Sequence, residues 1–237
     1  MGHAEFEISQ ERILHEDDHL LVLDKPPGLA FHRTGSGSAA PENLLDAVRR
    51  FLARRDGVAD PYVASHHRLD RETSGIVLLA KSREANPGLA ALFERQGIEK
   101  VYAALVHRPA SGKLPRGSWE VESRLARVRE RSKRVRYASS KAGDLARTDF
   151  RVVEILSRGL LVEARPRTGR THQVRVHLAE GGLPVVGDEL YGAPAGRASR
   201  PMLHAASLAF AHPITGVPLL LSSPLPEDFL ACLGELR

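Results

Sequence analysis

HHRLDRETSGIVLLAK, residues 66–81, passes in sixteen positions from a charge-dense segment to an unbroken apolar run. Ile76 to Ala80 carries no polar side chain and is short for a helix, so it predicts a strand buried on both faces. The segment before it holds His66, His67, Arg68, Asp70, Arg71 and Glu72, which cannot be buried in the same way. It predicts a loop at the strand's mouth, where a rigid scaffold commonly carries a site.

Toward the N-terminus, HLLVLD at residues 19–24 predicts a second buried strand, stopped by Lys25-Pro26-Pro27-Gly28 with its two fixed φ angles and a glycine. Residues 33–40 read as loop. After Pro41, the residues Leu44, Leu45, Val48, Phe51 and Leu52 recur at helical spacing, with Arg49, Arg50, Arg54 and Arg55 largely opposite. Residues 56–65 read as a further loop.

Toward the C-terminus, a short helix is expected from about Pro87, carrying Leu89, Leu92 and Phe93, followed by a strand from Lys100 to His107. From Arg124 to Arg136 seven cations (Arg124, Arg127, Arg129, Arg131, Lys133, Arg134 and Arg136) crowd into thirteen residues, which predicts a solvent-facing hairpin or flap. Thr148–Leu156 and Leu160–Ala164 are strand-like on either side of a Ser157-Arg158-Gly159 turn. A helix from Thr171, with Val174 and Leu178 on one face, two short strands around 203–211 and 218–221, and a helix near Pro226 complete the chain. Strands dominate and are joined by short turns, so the expected class is α+β with a largely antiparallel mixed sheet and flanking helices. Neither an internal repeat nor a linker is evident.

The 237 residues suffice for one large domain or two fused lobes. Cys232 is the single cysteine, so an intramolecular disulfide and a cysteine-rich zinc site are excluded. No apolar run reaches the roughly 18 residues of a spanning helix, and residues 1–10 do not have the form of a signal peptide; a cytoplasmic protein without membrane attachment is expected. The formal charge is +5, and only six of the 34 Lys and Arg residues are lysines. Guanidinium binds phosphate bidentately and stacks on bases, so a polyanion partner suits this composition, as does a mere arginine bias.

Phosphate-loop and dinucleotide motifs are absent, Arg167-Thr168-Gly169-Arg170 being the nearest basic glycine turn, and there is no serine-hydrolase elbow. Ser36, between Gly35 and Gly37, reads as flexible loop. Asp70, flanked by Arg68 and Arg71, is a carboxylate held ionised, which serves either a salt-bridge cluster or catalysis. His66, His67 and Asp70 form one candidate metal cluster, with His172, His177, His204 and His212 as further candidates. Against a metal-dependent hydrolase stands the missing HExxH, and His172 and His177 are five apart on different helix faces.

Three segments together resemble the RluA family of pseudouridine synthases: HRLDRETSGIVLLAK at 67–81, KVYAALV at 100–106 and RTGRTHQVRVHL at 167–178. LLVLDKPPGL at 20–29 and LHAASLAFAHP at 203–213 agree, in family order. The resemblance implies a pseudouridine synthase fold with an active-site cleft across the sheet and one catalytic domain over residues 13–229, with 1–12 as an N-terminal extension. It leaves no room for the S4-type RNA-binding module that many relatives carry. It also implies an RNA isomerase acting on tRNA or rRNA after base flipping, with no cofactor, no catalytic metal and no obligatory protein partner, and with monomer as the default.

In that family the HRLD aspartate, here Asp70, is essential, as nucleophile or as a base at the ribose; covalent attack is the working version. Arg170 matches the arginine that pairs with it, and Tyr102 the tyrosine lying against the uracil ring. Leu203 matches an apolar wall on the base's other face. Arg68 matches an arginine that enters the space the flipped base leaves. Pro87-Gly88 departs from relatives, which continue a helix there. The competing readings are the metal-dependent hydrolase and a non-catalytic RNA-binding module.

Overall fold

The computed structural model describes residues 6–33, 42–115, 117–128 and 135–237. The chain forms two compact units, Met1–Ile98 with Ser207–Pro224, and Glu99–Ala206 with Leu225–Arg237. Both combine antiparallel strands with helices, so the α+β class holds. Among the described residues no helix is long and apolar enough to cross a membrane.

The first unit opens with β1 (Ile13–Glu16) and β2 (Leu20–Lys25), an antiparallel hairpin. Asp17 makes the turn, its Oδ1 accepting the N–H groups of His19 and Leu20 at 2.8 Å each. Helix α1 (Leu44–Asp56) starts where Asn43 Oδ1 accepts the Asp46 N–H at 3.1 Å, and it ends on Gly57 at φ +69°, a left-handed cap that costs glycine little. The leucines and Val48 of α1 are buried and its arginines lie outward, as the spacing predicts. Strand β3 (Ser74–Ala80) is buried at all seven positions and pairs antiparallel with β2, Lys25 facing Gly75.

Helix α2 (Ala85–Glu94) begins two residues before the expected Pro87. Proline is tolerated in a first turn, whose N–H groups have no intrahelical partner, and Ser82 Oγ meets the Ala85 N–H at 3.1 Å instead. Gly88 has its own reason: a Cβ there would lie 2.9 Å from Pro213 Cβ. Of the loop expected at 33–40, residues 34–40 lie outside the described residues, as does Pro41.

The second unit holds β4 (Glu99–His107), β5 (Ser118–Val128), β6 (Arg136–Ser139), β7 (Asp144–Ile155) and β8 (Gly159–Pro166), in the hydrogen-bonded order β4-β8-β7-β5-β6. All four of these pairings are antiparallel. The cation-rich segment is a hairpin of β5 and β6, though Arg129, Arg131, Lys133 and Arg134 lie outside the described residues. Gly159 is required in the β7–β8 turn, since a Cβ would sit 2.7 Å from the Val106 carbonyl.

Helix α3 (Gln173–Glu180) packs Val174 and Leu178 into a core with Val106, Phe150, Val162 and Val185. Strand β9 (Leu203–Ala211) runs through both units, and its residues from Ser207 onward pair antiparallel with β10 (Pro218–Ser222) of the first unit. Helix α4 (Glu227–Leu236) returns to the second unit and buries Phe229, Cys232, Leu233 and Leu236 against Leu105, Leu156 and Met202.

Candidate active site

Asp70 is half-buried in the loop that opens β3, in the first unit, and the loop is tied down on both sides of it. Before it, Leu69 is buried and the His67 ring stacks on Phe93 with centroids 4.8 Å apart. The backbone N–H of Leu78 donates to His67 Nε2 at 2.8 Å, which hooks the loop onto β3. After it, the Thr73 N–H closes a turn on the Asp70 carbonyl at 3.1 Å, and Thr73 and Ser74 are buried.

The other anchor is Lys25, a lysine without measurable exposure. Its Nζ donates to the carbonyls of Pro26 at 2.8 Å, Leu29 at 2.9 Å and Arg71 at 3.0 Å, three acceptors for the three protons of an ammonium group. Gly28 and Arg71 exchange a further pair, the Gly28 N–H donating to the Arg71 carbonyl and Arg71 Nε to the Gly28 carbonyl, both at 2.9 Å. Gly28 adopts φ +82°, which a side chain would resist. The Pro-Pro-Gly turn thus serves as the seat of the Asp70 loop.

Arg68 and Arg71 part company. Arg71 turns to Gly28 and, at 3.5 Å, to Glu72, whereas Arg68 is exposed. Partial burial, with the positive charges of Arg68 and Arg49, holds the His32 imidazole below its ordinary pKa. His32 is a neighbour of Arg68 that the sequence does not announce.

Tyr102, Arg170 and Leu203 belong to the second unit. Tyr102 faces Ala164 across the β4–β8 ladder and packs, half-buried, against the same apolar cluster that contains Leu203. Two residues earlier on β4, Lys100 donates to the Thr168 carbonyl at 3.3 Å, and burial pushes its ammonium below the usual lysine range.

The turn that carries Arg170 is fixed by Gln173, which is 4% exposed. Its Oε1 accepts from Thr168 Oγ1 at 2.6 Å and from the Arg170 N–H at 3.0 Å, while its Nε2 donates to the Arg147 carbonyl and to Thr148 Oγ1, both at 2.9 Å. The Arg170 N–H needs an oxygen and the Arg147 carbonyl needs an N–H, so the amide has one orientation. Arg170 Nε donates to the Leu145 carbonyl at 3.0 Å, with Asp144 4.0 Å from Nη1, and 44% of the side chain remains exposed.

Five of the six histidines named as metal candidates hydrogen-bond to other groups. His66 meets Asn86 at 2.8 Å, His67 takes the Leu78 N–H, and His172 meets the Tyr191 hydroxyl at 2.8 Å. His177 lies between Thr148 and Ser123, and His212 Nδ1 accepts the Ile214 and Thr215 N–H groups. Among the described residues no group of three His, Cys, Asp or Glu side chains is arranged to hold a metal ion.

A family model described as RNA pseudouridylate synthase matches residues 19–180. The chain is 37% identical over 235 residues to ribosomal large subunit pseudouridine synthase D of Nitrosomonas europaea, covering 95% of this chain and 65% of that protein. It is 35% identical over 240 residues to ribosomal large subunit pseudouridine synthase C of Escherichia coli K12, covering 95% of this chain and 70% of that one. With the first of these it therefore spans less than two thirds of its relative's length. Among solved structures it is similar to human RNA pseudouridylate synthase domain containing 4, with TM-score 0.74 and 27% identity over 96% of this chain and 93% of that one. Human RNA pseudouridylate synthase domain containing 1 shares the fold, with TM-score 0.72 and 24% identity over 96% and 90%.

Proposed function

As a chain that belongs to the family of RNA pseudouridylate synthases, isomerases acting on RNA, it is one in which we propose that Asp70 converts selected uridines of ribosomal RNA to pseudouridine. The observation that carries this reading is that the matched region, residues 19–180, includes Asp70, Tyr102 and Arg170 together with the structures that fix each. The Asp70 loop is locked by Lys25 and His67, and the Arg170 turn by Gln173. A module that only bound RNA would need no such fixation of a carboxylate.

The reaction breaks the bond from ribose C1′ to uracil N1 and makes one from C1′ to C5; C5 loses a proton and N1 gains one. Nothing is oxidised and nothing is consumed, so the chemistry asks for no cofactor. Extruding the uridine from its stack costs a few kcal/mol, and the exposed guanidinium of Arg68 is suited to stack in the space it leaves. Asp70 attacks as the ionised carboxylate. Arg170 is the cation assigned to this carboxylate, presented on the turn that Gln173 fixes. Tyr102 and Leu203, sharing one apolar cluster, bracket the base while it turns, and the Tyr102 phenol is the candidate acceptor for the C5 proton.

The relatives' names point to large-subunit rRNA rather than tRNA as the substrate, and that substrate implies a cytoplasmic site of action. The acting part runs from residue 13 past 229 to the end of α4, whose Cys232, Leu233 and Leu236 belong to the second unit's core, and works as a monomer without an obligatory protein partner; residues 1–12 stand outside it. Asp70→Asn keeps size and shape and removes the charge. Incubated with an unmodified transcript of large-subunit rRNA, the variant should form pseudouridine at least about 1000-fold more slowly, mapped at single-nucleotide resolution, with RNA affinity retained. Unimpaired turnover would refute the assignment.

A further inference from the structure

Strand β6 is an edge of the second unit's sheet. The N–H groups of Tyr137 and Ser139 point away from its neighbour β5 and end on side chains instead. Tyr137 donates to the Tyr191 hydroxyl at 3.0 Å, and Ser139 to Glu180 Oε1 at 2.9 Å. Glu180 is the last residue of α3, and Tyr191 reaches His172, the residue before its first. The hairpin is therefore stitched to both ends of the helix that follows the Arg170 turn.

His172 sits at φ +57°, one of two non-glycine residues among those described with positive φ. That conformation is disfavoured for a residue with a Cβ and persists where neighbours impose it. Here it reverses the chain so that the Gln173 N–H reaches the Arg170 carbonyl at 3.1 Å and the Gln173 side chain reaches the Arg170 N–H.

The group holding His172 is itself held. Tyr191 is 6% exposed, its N–H donates to the Asp188 carbonyl at 3.0 Å, and the Arg175 guanidinium lies 5.1 Å from its ring centroid. Arg175 in turn grips the buried Asp188 with two bonds of 2.6 and 2.8 Å. A hydroxyl that accepts the Tyr137 N–H can still donate its own proton to His172 Nδ1, so both contacts are satisfied at once.

We propose that Tyr191 is a positioning residue of the catalytic turn: its hydroxyl, braced against the β6 edge, imposes the left-handed His172 and so sets where Arg170 stands. The inference rests on the reading of Asp70 and Arg170 given above. Tyr191 does not touch the reacting atoms, so its removal should lower the rate of chemistry and leave RNA binding alone.

Tyr191→Phe keeps the ring beneath Arg175 and deletes both hydroxyl contacts. In single-turnover assays on the same rRNA transcript, the rate should fall about tenfold, the scale of one or two modest hydrogen bonds, while the dissociation constant shifts less than about twofold. His172→Gly adopts a positive φ without help, so in that background Tyr191→Phe should cost little more. Glu180→Gln weakens the other stitch and should retain the parental rate. An unchanged rate in Tyr191→Phe, penalties that simply add in the double variant, or an equal loss in Glu180→Gln would each overturn the proposal. Asp70→Asn run in parallel separates the two readings: if it is inactive while Tyr191→Phe is not impaired, only the positioning role fails.

Discussion

Lys25 shows how one side chain can serve a site it does not enter. Its amine binds three carbonyls in a place closed to water, and one of them belongs to Arg71, the residue after Asp70. Lys25→Met would fill similar space and leave those carbonyls unsatisfied, at a cost of about 3 kcal/mol. We expect a matching fall in denaturant midpoint, and turnover reduced beyond what the unfolded fraction explains, because the Asp70 loop loses its seat. The sequence exposed the candidate site residues better than their supports. Asp70, Tyr102 and Arg170 stand in segments whose residue order resembles a family. Lys25 reads there only as part of a strand stop, and Gln173 only as a helical residue, because each ties its segment to a backbone carbonyl far along the chain, 46 and 26 positions away. His67 misleads for the same reason: a histidine beside an aspartate suggests a ligand until Leu78 claims its nitrogen.

At the scale of elements, apolar periodicity located most strands and the four α-helices among the described residues, since buried faces leave the clearest trace. Two strands were harder to read. β1 is four residues long and half-buried throughout, and β5 alternates Trp119, Val121 and Leu125 with Glu and Arg, a pattern masked by its charges. The turn between β1 and β2 offers a test through Asp17. Burial alone would raise its pKa, but the His19 and Leu20 N–H groups, with His15 and His212 nearby, bring it down to about 2. A carboxyl depressed on folding stabilises the protein above its unfolded value near 3.8, and that contribution is lost as pH falls through about 2. Asp17→Asn keeps an oxygen for the two N–H groups and deletes the charge. Discounted for the 32% exposure of the side chain, the loss is about 1 kcal/mol at pH 7. Urea unfolding should show the deficit undiminished at pH 5 and shrinking between pH 4 and pH 2.

For the molecule as a whole, the formal charge of +5 says less about RNA contact than its distribution does. On β7, on β8 and just after it, Arg147 pairs with Glu122, Arg167 with Asp149 at 2.7 Å, and Arg151 and Arg165 share Glu163 at 2.9 and 2.8 Å. These arginines are paired where they stand, which makes them poorer candidates for phosphate and base contacts than the exposed Arg68. Composition could not separate the two groups, because pairing depends on which strands become neighbours.

The caged amine of Lys25 also makes a chemical clock. Acetic anhydride modifies amines only when they are bare, and this one becomes bare only when the strand around it opens. Mass spectrometry of pulse-acylated protein should find position 25 among the last lysines to gain an acetyl group, at a pace set by opening of the first unit; early labelling there would mean that the cage is open in solution.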